Sequence, residues 1–297
     1  MKDQIIRATA LDGRVRAFAA RTTRIVEELK ERHQASPTAL AALGRTITAG
    51  AMMGAMLKGE EKLTIQVKGG GPIGQIVVDA NSKGEVRGYV DEPQVDLGPN
   101  AAGKLDVAGA VGTDGFLYVT KDLGLKEPYR GSTPIVSGEL AEDFTYYFAK
   151  SEQTPSAVAL GVLFSKGEYV VKAAGGFIIQ LLPGLSDEEI DEIEERLSVL
   201  PPMTTMLEDG LELDEILANV LGMVRVLDTM ELQFRCKCSR ERVEETLISL
   251  GIEEIDGIIE EDGRAEVKCH FCNEAYVFEG PELQEIARTL ENRLKDR

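Results

Sequence analysis

All four cysteines of this 297-residue chain lie in its last quarter. They form two close pairs, Cys236-Lys237-Cys238 and Cys269-His270-Phe271-Cys272, with thirty residues between them. Four sulfurs complete one tetrahedral zinc site. The same four make two disulfides with none left over. The region that holds them, residues 231–297, has fewer than 70 residues, which rarely hold together on a small apolar core alone. A metal staple is therefore expected to supply part of its folding energy.

Which bonding pattern applies depends on the compartment. The opening residues Met1-Lys2-Asp3-Gln4-Ile5-Ile6-Arg7 carry no apolar signal segment, and no run of about 18 apolar residues spans a bilayer. The reading is a cytoplasmic protein without a membrane partner. There, paired cysteines serve metal binding, catalysis or redox sensing rather than structural disulfides. A net charge of −18 argues against a nucleic-acid partner, whose phosphates repel every uncompensated carboxylate.

Patterning along the chain predicts an α+β architecture in three parts. Arg14–Ala19 alternates as a strand does, and Thr22–Arg32 suits a helix. Ser36-Pro37 starts a second helix, with Ser as N-cap and Pro at the first helical position. Its apolar residues Leu40, Leu43, Ile47, Met52, Met53 and Met56 go nearly all round, so burial is expected. From Lys62 the period becomes two, with Leu63, Ile65 and Val67 on one face. Further strands are predicted at 75–79, 85–90, 115–120, 156–164 and 168–174, with a helix at 141–150. This makes residues 1–179 one large α+β domain.

Residues 180–230 read as a helical connector. Ser186 and Glu189 form a capping box, followed by an apolar stripe of Ile190, Ile193, Leu197 and Leu200. The opposite face is densely acidic. Pro201-Pro202 breaks the helix, and 213–221 forms another. In the small cysteine domain, Ser239 caps a helix that Gly251 closes. Asp262-Gly263 signals a hairpin turn. Arg264–Lys268 and Ala275–Phe278 are short strands bracketing the second cysteine pair. Pro281 opens a final helix with a stripe of Leu283, Ile286, Leu290 and Leu294.

The local chemistry of the cysteines leaves two uses open. One is a permanent structural zinc. The other is a switch, because zinc holds its ligands as thiolates, the form that reacts with oxidants. Arg235, Lys237, Arg240, Arg242 and Lys268 surround the motifs and would favour the anions. Oxidation would then remove both metal and staple. His270, between two ligands, is read as a bystander, since four cysteines suffice. His33 falls in a charged stretch and is read as solvated.

Other motifs carry less. Gly69-Gly70-Gly71-Pro72-Ile73-Gly74 contains the G-x-G-x-x-G pattern, but a dinucleotide site needs a helix after it, and Gln75–Asp79 reads as strand. It is taken as a tight turn, with no cofactor. No Ser-His-Asp set and no phosphate-binding G-x-x-x-x-G-K-[ST] loop is present, so no catalytic residue is assigned and the chain is not read as an enzyme. Met52, Met53 and Met56 are assigned to core packing, while Met203 and Met206 fit either core or an adaptable client surface.

With these motifs in place, the whole chain resembles the redox-regulated heat-shock holdase chaperones, the thirty-three-kilodalton heat-shock proteins of bacteria. The two cysteine motifs at this spacing, the Gly69–Gly74 turn, the three-part layout and the mass of 32.3 kDa carry the likeness. The resemblance implies that Cys236, Cys238, Cys269 and Cys272 hold one zinc ion while reduced and the chaperone is inactive. Oxidation by peroxide with unfolding stress, or by hypochlorous acid, would form the disulfides Cys236–Cys238 and Cys269–Cys272 and release zinc. The small domain and then the connector would unfold, making apolar surface available to unfolding client proteins. The resemblance also implies a homodimer as the active form, no use of ATP, and transfer of clients to ATP-dependent foldases. Two alternatives are a constitutive structural zinc-ribbon interaction module and a thiol oxidoreductase using Cys269 and Cys272.

Overall fold

The computed structural model describes residues 2–165, 167 and 169–295, with backbone alone for 291–295. The chain divides into two units, Met1–Arg235 and Cys236–Arg297. The first opens with β1 (Gln4–Ala10) and β2 (Val15–Arg21), then α1 (Thr23–His33) and α2 (Pro37–Gly54). It continues through β3 (Lys62–Lys68), β4 (Gln75–Asn81), β5 (Glu85–Val90), α3 (Val107–Val111), β6 (Phe116–Asp122), β7 (Tyr129–Pro134) and α4 (Ala141–Lys150). The edge strand β8 (Ser156–Phe164) and the long β9 (Val171–Leu181) precede three helices, α5 (Asp187–Ser198), α6 (Met203–Glu208) and α7 (Leu213–Leu221), and the unit ends in β10 (Arg225–Glu231) and β11 (Gln233–Phe234).

Two sheets result. One is antiparallel with strand order β10-β1-β2-β9-β8, and the other runs β11-β5-β4-β3-β6-β7, antiparallel except for β11 beside β5. α2 packs against strands of both, which is why it is apolar all round. Its cap is the predicted one: the Ser36 hydroxyl accepts from the Ala39 backbone N–H at 3.3 Å, with Pro37 opening the first turn. Leu40, Leu43, Ile47, Met52 and Met53 are buried, while Met56 lies past the helix end and is half-buried. The alternating Leu63, Ile65 and Val67 of β3 face the same core.

The Gly69–Gly74 segment joins β3 to β4 without opening a helix. The Gly71 N–H donates to the Val111 carbonyl at 3.0 Å, and the Ile73 N–H to that of Ala110 at 3.1 Å. A Cβ on Gly71 would sit 2.3 Å from the Ala110 carbonyl oxygen, against backbone that has no slack. Gly71→Ala is therefore expected to cost about 1–3 kcal/mol of stability as an overpacking change. A chemical denaturation midpoint unchanged from the parent would refute the close-packing account.

The expected helical connector, 180–230, is helical only in part: its ends belong to β9 and β10 of the five-stranded sheet, and α5, α6 and α7 between them cover that sheet's outer face within the first unit. Ala17, Ala19, Phe177 and Ile179 of the strands meet Ile193 of α5, Met203 and Met206 of α6, and Leu217 of α7. Met203 and Met206 are thus core residues here. The predicted capping box forms, the Ser186 hydroxyl accepting from the Glu189 N–H at 3.3 Å and Glu189 Oε2 from the Ser186 N–H at 2.9 Å. The same carboxylate reaches across to β2's flank: Arg14 donates to its two oxygens at 2.6 and 2.7 Å. The Arg14 guanidinium, with the Ser186 backbone, holds the Glu189 carboxyl below the usual carboxylate range.

Several elements differ from expectation. β9 runs seven residues past Ala174, because Phe177, Ile178 and Ile179 remain buried between its neighbours; Glu168, the expected start, lies outside the described residues. β7, β10 and β11 and the short α3 have no counterpart in the sequence patterning. His33 is buried in α1 rather than solvated.

The second unit contains α8 (Arg240–Leu250), α9 (Ile252–Glu261), β12 (Arg264–Lys268), β13 (Ala275–Glu279) and α10 (Gly280–Lys295). Ser239 caps α8, its hydroxyl accepting from the Arg242 N–H at 3.4 Å. Val243, Leu247, Ile255, Phe278, Leu283 and Ile286 form a separate small core. Asp262-Gly263 turns out to end α9, the Gly263 N–H closing on the Ile258 carbonyl at 3.1 Å. The hairpin turn lies instead at the cysteines. The side chain of Leu294, last of the predicted stripe, is outside the described residues. No helix among the described residues is long and apolar enough to cross a membrane.

Candidate metal centre

The C-x-x-C pair occupies the tip of the β12–β13 hairpin. The ladder closes with Lys268 opposite Ala275, and the Cys269 N–H extends it by donating to the Glu274 carbonyl at 2.9 Å. The Asn273 N–H then turns back onto the Cys269 carbonyl at 2.8 Å. Asn273 takes a left-handed backbone, φ +59°, a conformation asparagine tolerates better than most residues. The tight loop projects Cys269 and Cys272 toward one point.

The C-x-C pair reaches that point from the entry to α8. Ser239 caps the helix, and the Arg242 guanidinium donates to the Lys237 carbonyl at 2.7 Å, fixing the backbone between Cys236 and Cys238. Sulfurs approach across the two motifs, Cys236 to Cys269 at 3.6 Å and Cys238 to Cys272 at 3.2 Å. All four sulfurs lie within 4.8 Å of one another, and none is in a disulfide. Zinc–sulfur bonds of about 2.3 Å in a tetrahedron place sulfurs roughly 3.8 Å apart. Four thiols in this bracket are close enough to hold a metal ion, and their softness suits zinc.

The surroundings treat the sulfurs unequally. Partial burial pushes the Cys236 thiol up, but the Cys238 backbone N–H and the neighbouring cysteines outweigh it and bring it down to about 7. Burial pushes the Cys272 thiol well up, and that of Cys269 up as well. The Tyr276 hydroxyl donates to Cys238 Sγ at 3.2 Å, and that bond to sulfur holds the phenol proton in place.

Tyr276 was not picked out from the sequence; its only signal is a place four residues after Cys272 on a strand that leads away from the site. Groups that support metal ligands from outside commonly affect affinity by about 10–100-fold. Tyr276→Phe is expected to weaken metal retention within that range, read as competition against a chromogenic chelator. Retention equal to the parent would make Tyr276 a packing residue only.

Two of the five basic residues grouped with the cysteines are engaged elsewhere. Arg240 pairs with Glu282 at 2.6 Å and lies 4.2 Å over the Phe278 ring, and Arg235, in the first unit, pairs with Glu85 at 3.2 Å. His270 is exposed on the hairpin tip, outside the sulfur cluster.

Known proteins carry the same layout. The "Hsp33 protein" family matches residues 3–279. The chain belongs to the Hsp33 family. Among its relatives, a "33 kDa chaperonin" of Brevibacillus brevis is 58% identical over 290 residues, covering 98% of this chain and 100% of the relative. A protein of the same name from Geobacillus sp. strain WCH70 is 56% identical over 293 residues, 98% and 99% respectively. The crystal structure of the 33 kDa chaperonin (heat shock protein 33 homolog) from Thermotoga maritima superposes with a TM-score of 0.91 at 37% identity, covering 98% of this chain and all of that one. Membership in the Hsp33 family makes this an α+β chaperone-family chain, with a four-cysteine cluster fit for a metal.

Proposed function

We propose that this chain is a redox-regulated holdase that binds unfolding proteins and prevents their aggregation under oxidative stress. The carrying observation is the set of four free thiols within 4.8 Å of one another in a chain of a chaperone family. Cys236, Cys238, Cys269 and Cys272 hold one zinc ion in the reduced, inactive state. Zinc, when bound, keeps the sulfurs as thiolates and staples the second unit.

Activation is thiol oxidation. The pairs formed are Cys236–Cys238 and Cys269–Cys272, as in the family. Each disulfide takes one peroxide: the thiolate pair gives up two electrons, and the peroxide, taking two protons from solvent, leaves as two water molecules. Sulfurs bound to each other no longer act as thiolate ligands, so the staple is lost. Residues 231–297 form the redox-switch domain, 180–230 the linker that loosens in turn, and 1–179 the chaperone and dimerisation domain. Supporting this division of labour, the second unit has only a small core of its own, and α5 carries a single fully buried residue, Ile193.

The protein works as a cytoplasmic homodimer without catalysis, nucleic acid or membrane, and hands its clients to ATP-dependent foldases after reduction. The test follows zinc content and free thiols on one sample, before and after peroxide at mild heat, alongside light scattering of an unfolding client. One zinc and four thiols should fall together as aggregation suppression appears. Zinc retained with suppression unchanged would leave only a structural staple.

A further inference from the structure

Met203 and Met206 form most of the seat of α6. They are two of the three buried residues of this six-residue helix, Leu207 being the third. A helix so short has little stability apart from its packing. Both methionines lie in the apolar layer on the outer face of the five-stranded sheet, 4% and 3% exposed. The seat is close. A Cβ on Gly161 of β8 would come 2.6 Å from Thr204 Cγ2, and one on Gly175 of β9 would come 2.6 Å from Leu207 Cδ1. The strands thus carry glycine where side chains of α6 press nearest.

Methionine is also oxidisable. Its thioether takes up one oxygen atom to give a sulfoxide, a polar group that disrupts apolar packing and that dedicated reductases reverse. The chain contains its own contrast: Met223, between α7 and β10, is 91% exposed, whereas Met52 and Met53 are buried in α2. While the connector is closed, an oxidant in solution meets Met223 and is kept from Met203 and Met206. Once α5–α7 lift, these two are as open as Met223. The apolar side chains that received them carry no donor for a sulfoxide oxygen, and a buried polar group without a partner is costly. The close approach at Gly161 and Gly175 resists a shift of α6 to make room.

We infer that Met203 and Met206 are oxidation sites that become accessible only with release of the connector and then latch it open. Their substrate is a two-electron oxygen donor, hydrogen peroxide or hypochlorous acid. The sulfur gives up two electrons and gains the oxygen; peroxide leaves as one water, hypochlorous acid as chloride and a proton. The latch rests on the redox-holdase reading above and deepens it: the thiols decide when the connector opens, the thioethers how long it stays so. Return of thiols and zinc leaves α6 off the sheet until a methionine sulfoxide reductase has acted.

The test is peptide mass mapping of the full-length protein dosed with peroxide. One sample is reduced and supplied with zinc; the other has its thiols oxidised beforehand by diamide, which spares thioethers. Met223 should oxidise alike in both. In the reduced sample Met203 and Met206 should lag it at least ~10-fold, since closure protects them. After thiol oxidation the lag should vanish, with Met52 and Met53 still protected. Reductant and zinc should then restore slow amide exchange across 187–208 in a sample treated with diamide alone. In the sulfoxidised sample closure should remain at least ~10-fold weaker until a methionine sulfoxide reductase is added. Met203→Leu with Met206→Leu, a volume-conserving pair, should reset with reductant alone. Four results would each overturn the inference: oxidation of both methionines as fast as Met223 in the reduced sample, protection that persists after thiol oxidation, loss of protection at Met52 and Met53 in step with them, or full reset of the sulfoxidised protein by reductant. None of these readouts involves a client. Aggregation suppression on thiol oxidation without the latch would leave the holdase reading standing, and a working latch without suppression would sink that reading alone.

Discussion

Cys272→Ser will cost the second unit its metal and most of its fold. Cys272 is the buried member of the cluster, 3.2 Å from Cys238. A serine hydroxyl offers no thiolate, and the remaining three sulfurs close no tetrahedron. Structural zinc in small domains supplies an apparent binding energy of about 10–16 kcal/mol near neutral pH, and that energy is folding energy. The affinity loss should exceed the roughly 100-fold that removal of a supporting group brings. Metal analysis of purified protein and proteolysis within 236–297 read the result. A variant holding a full equivalent of zinc against chelator would remove Cys272 from the ligand set.

Replacing Ile193 and Leu197 together with serine should release α5 and switch on the reduced protein. Ile193 is 4% exposed and Leu197 packs beside it against the sheet's outer core. Truncating a buried isoleucine costs about 2–5 kcal/mol when the cavity cannot collapse, and the inserted hydroxyls find no partners in an apolar layer. Most of the remaining α5 residues are acidic and exposed, so the helix is left with the Arg14–Glu189 pair, the half-buried Ile190 and the Arg196 bond to the Val220 carbonyl at 3.2 Å. Amides in α5 should exchange faster, and client aggregation should be suppressed in the presence of reductant. Fast exchange with full silence until oxidation would show that α5 is not the brake.

What the sequence revealed follows the range of the forces involved. Ser36, Ser186 and Ser239 were readable as caps because a cap is decided within four residues. The Ser156–Phe164 strand was readable because its apolar run is self-contained. β10 was not, for its pattern is nearly all exposed and its place is set by β1, more than 200 residues earlier. β7 hid behind Gly131 and Pro134. α9 was legible and overlooked: Ile252, Ile255 and Ile259 recur at helical spacing after Gly251. Asp262-Gly263 misled because the same dipeptide that turns a hairpin also ends a helix. For the metal centre, the sequence supplied the four sulfurs and the hairpin strands. It did not supply Tyr276, nor the approach of each sulfur to one from the other motif, which arises only when the hairpin and the α8 entry converge.

Glu189 Oε2 accepts both the N–H that begins its own helix and the Arg14 guanidinium from the far side of the chain. One atom thus belongs to two contracts, nucleation and anchorage. If Arg14 lets go, the helix start loses the partner that orients its cap; if the first turn frays, the arginine loses a fixed target. Lifting and unwinding of this segment are thereby coupled through one oxygen, which serves the start of the helix and its attachment at once.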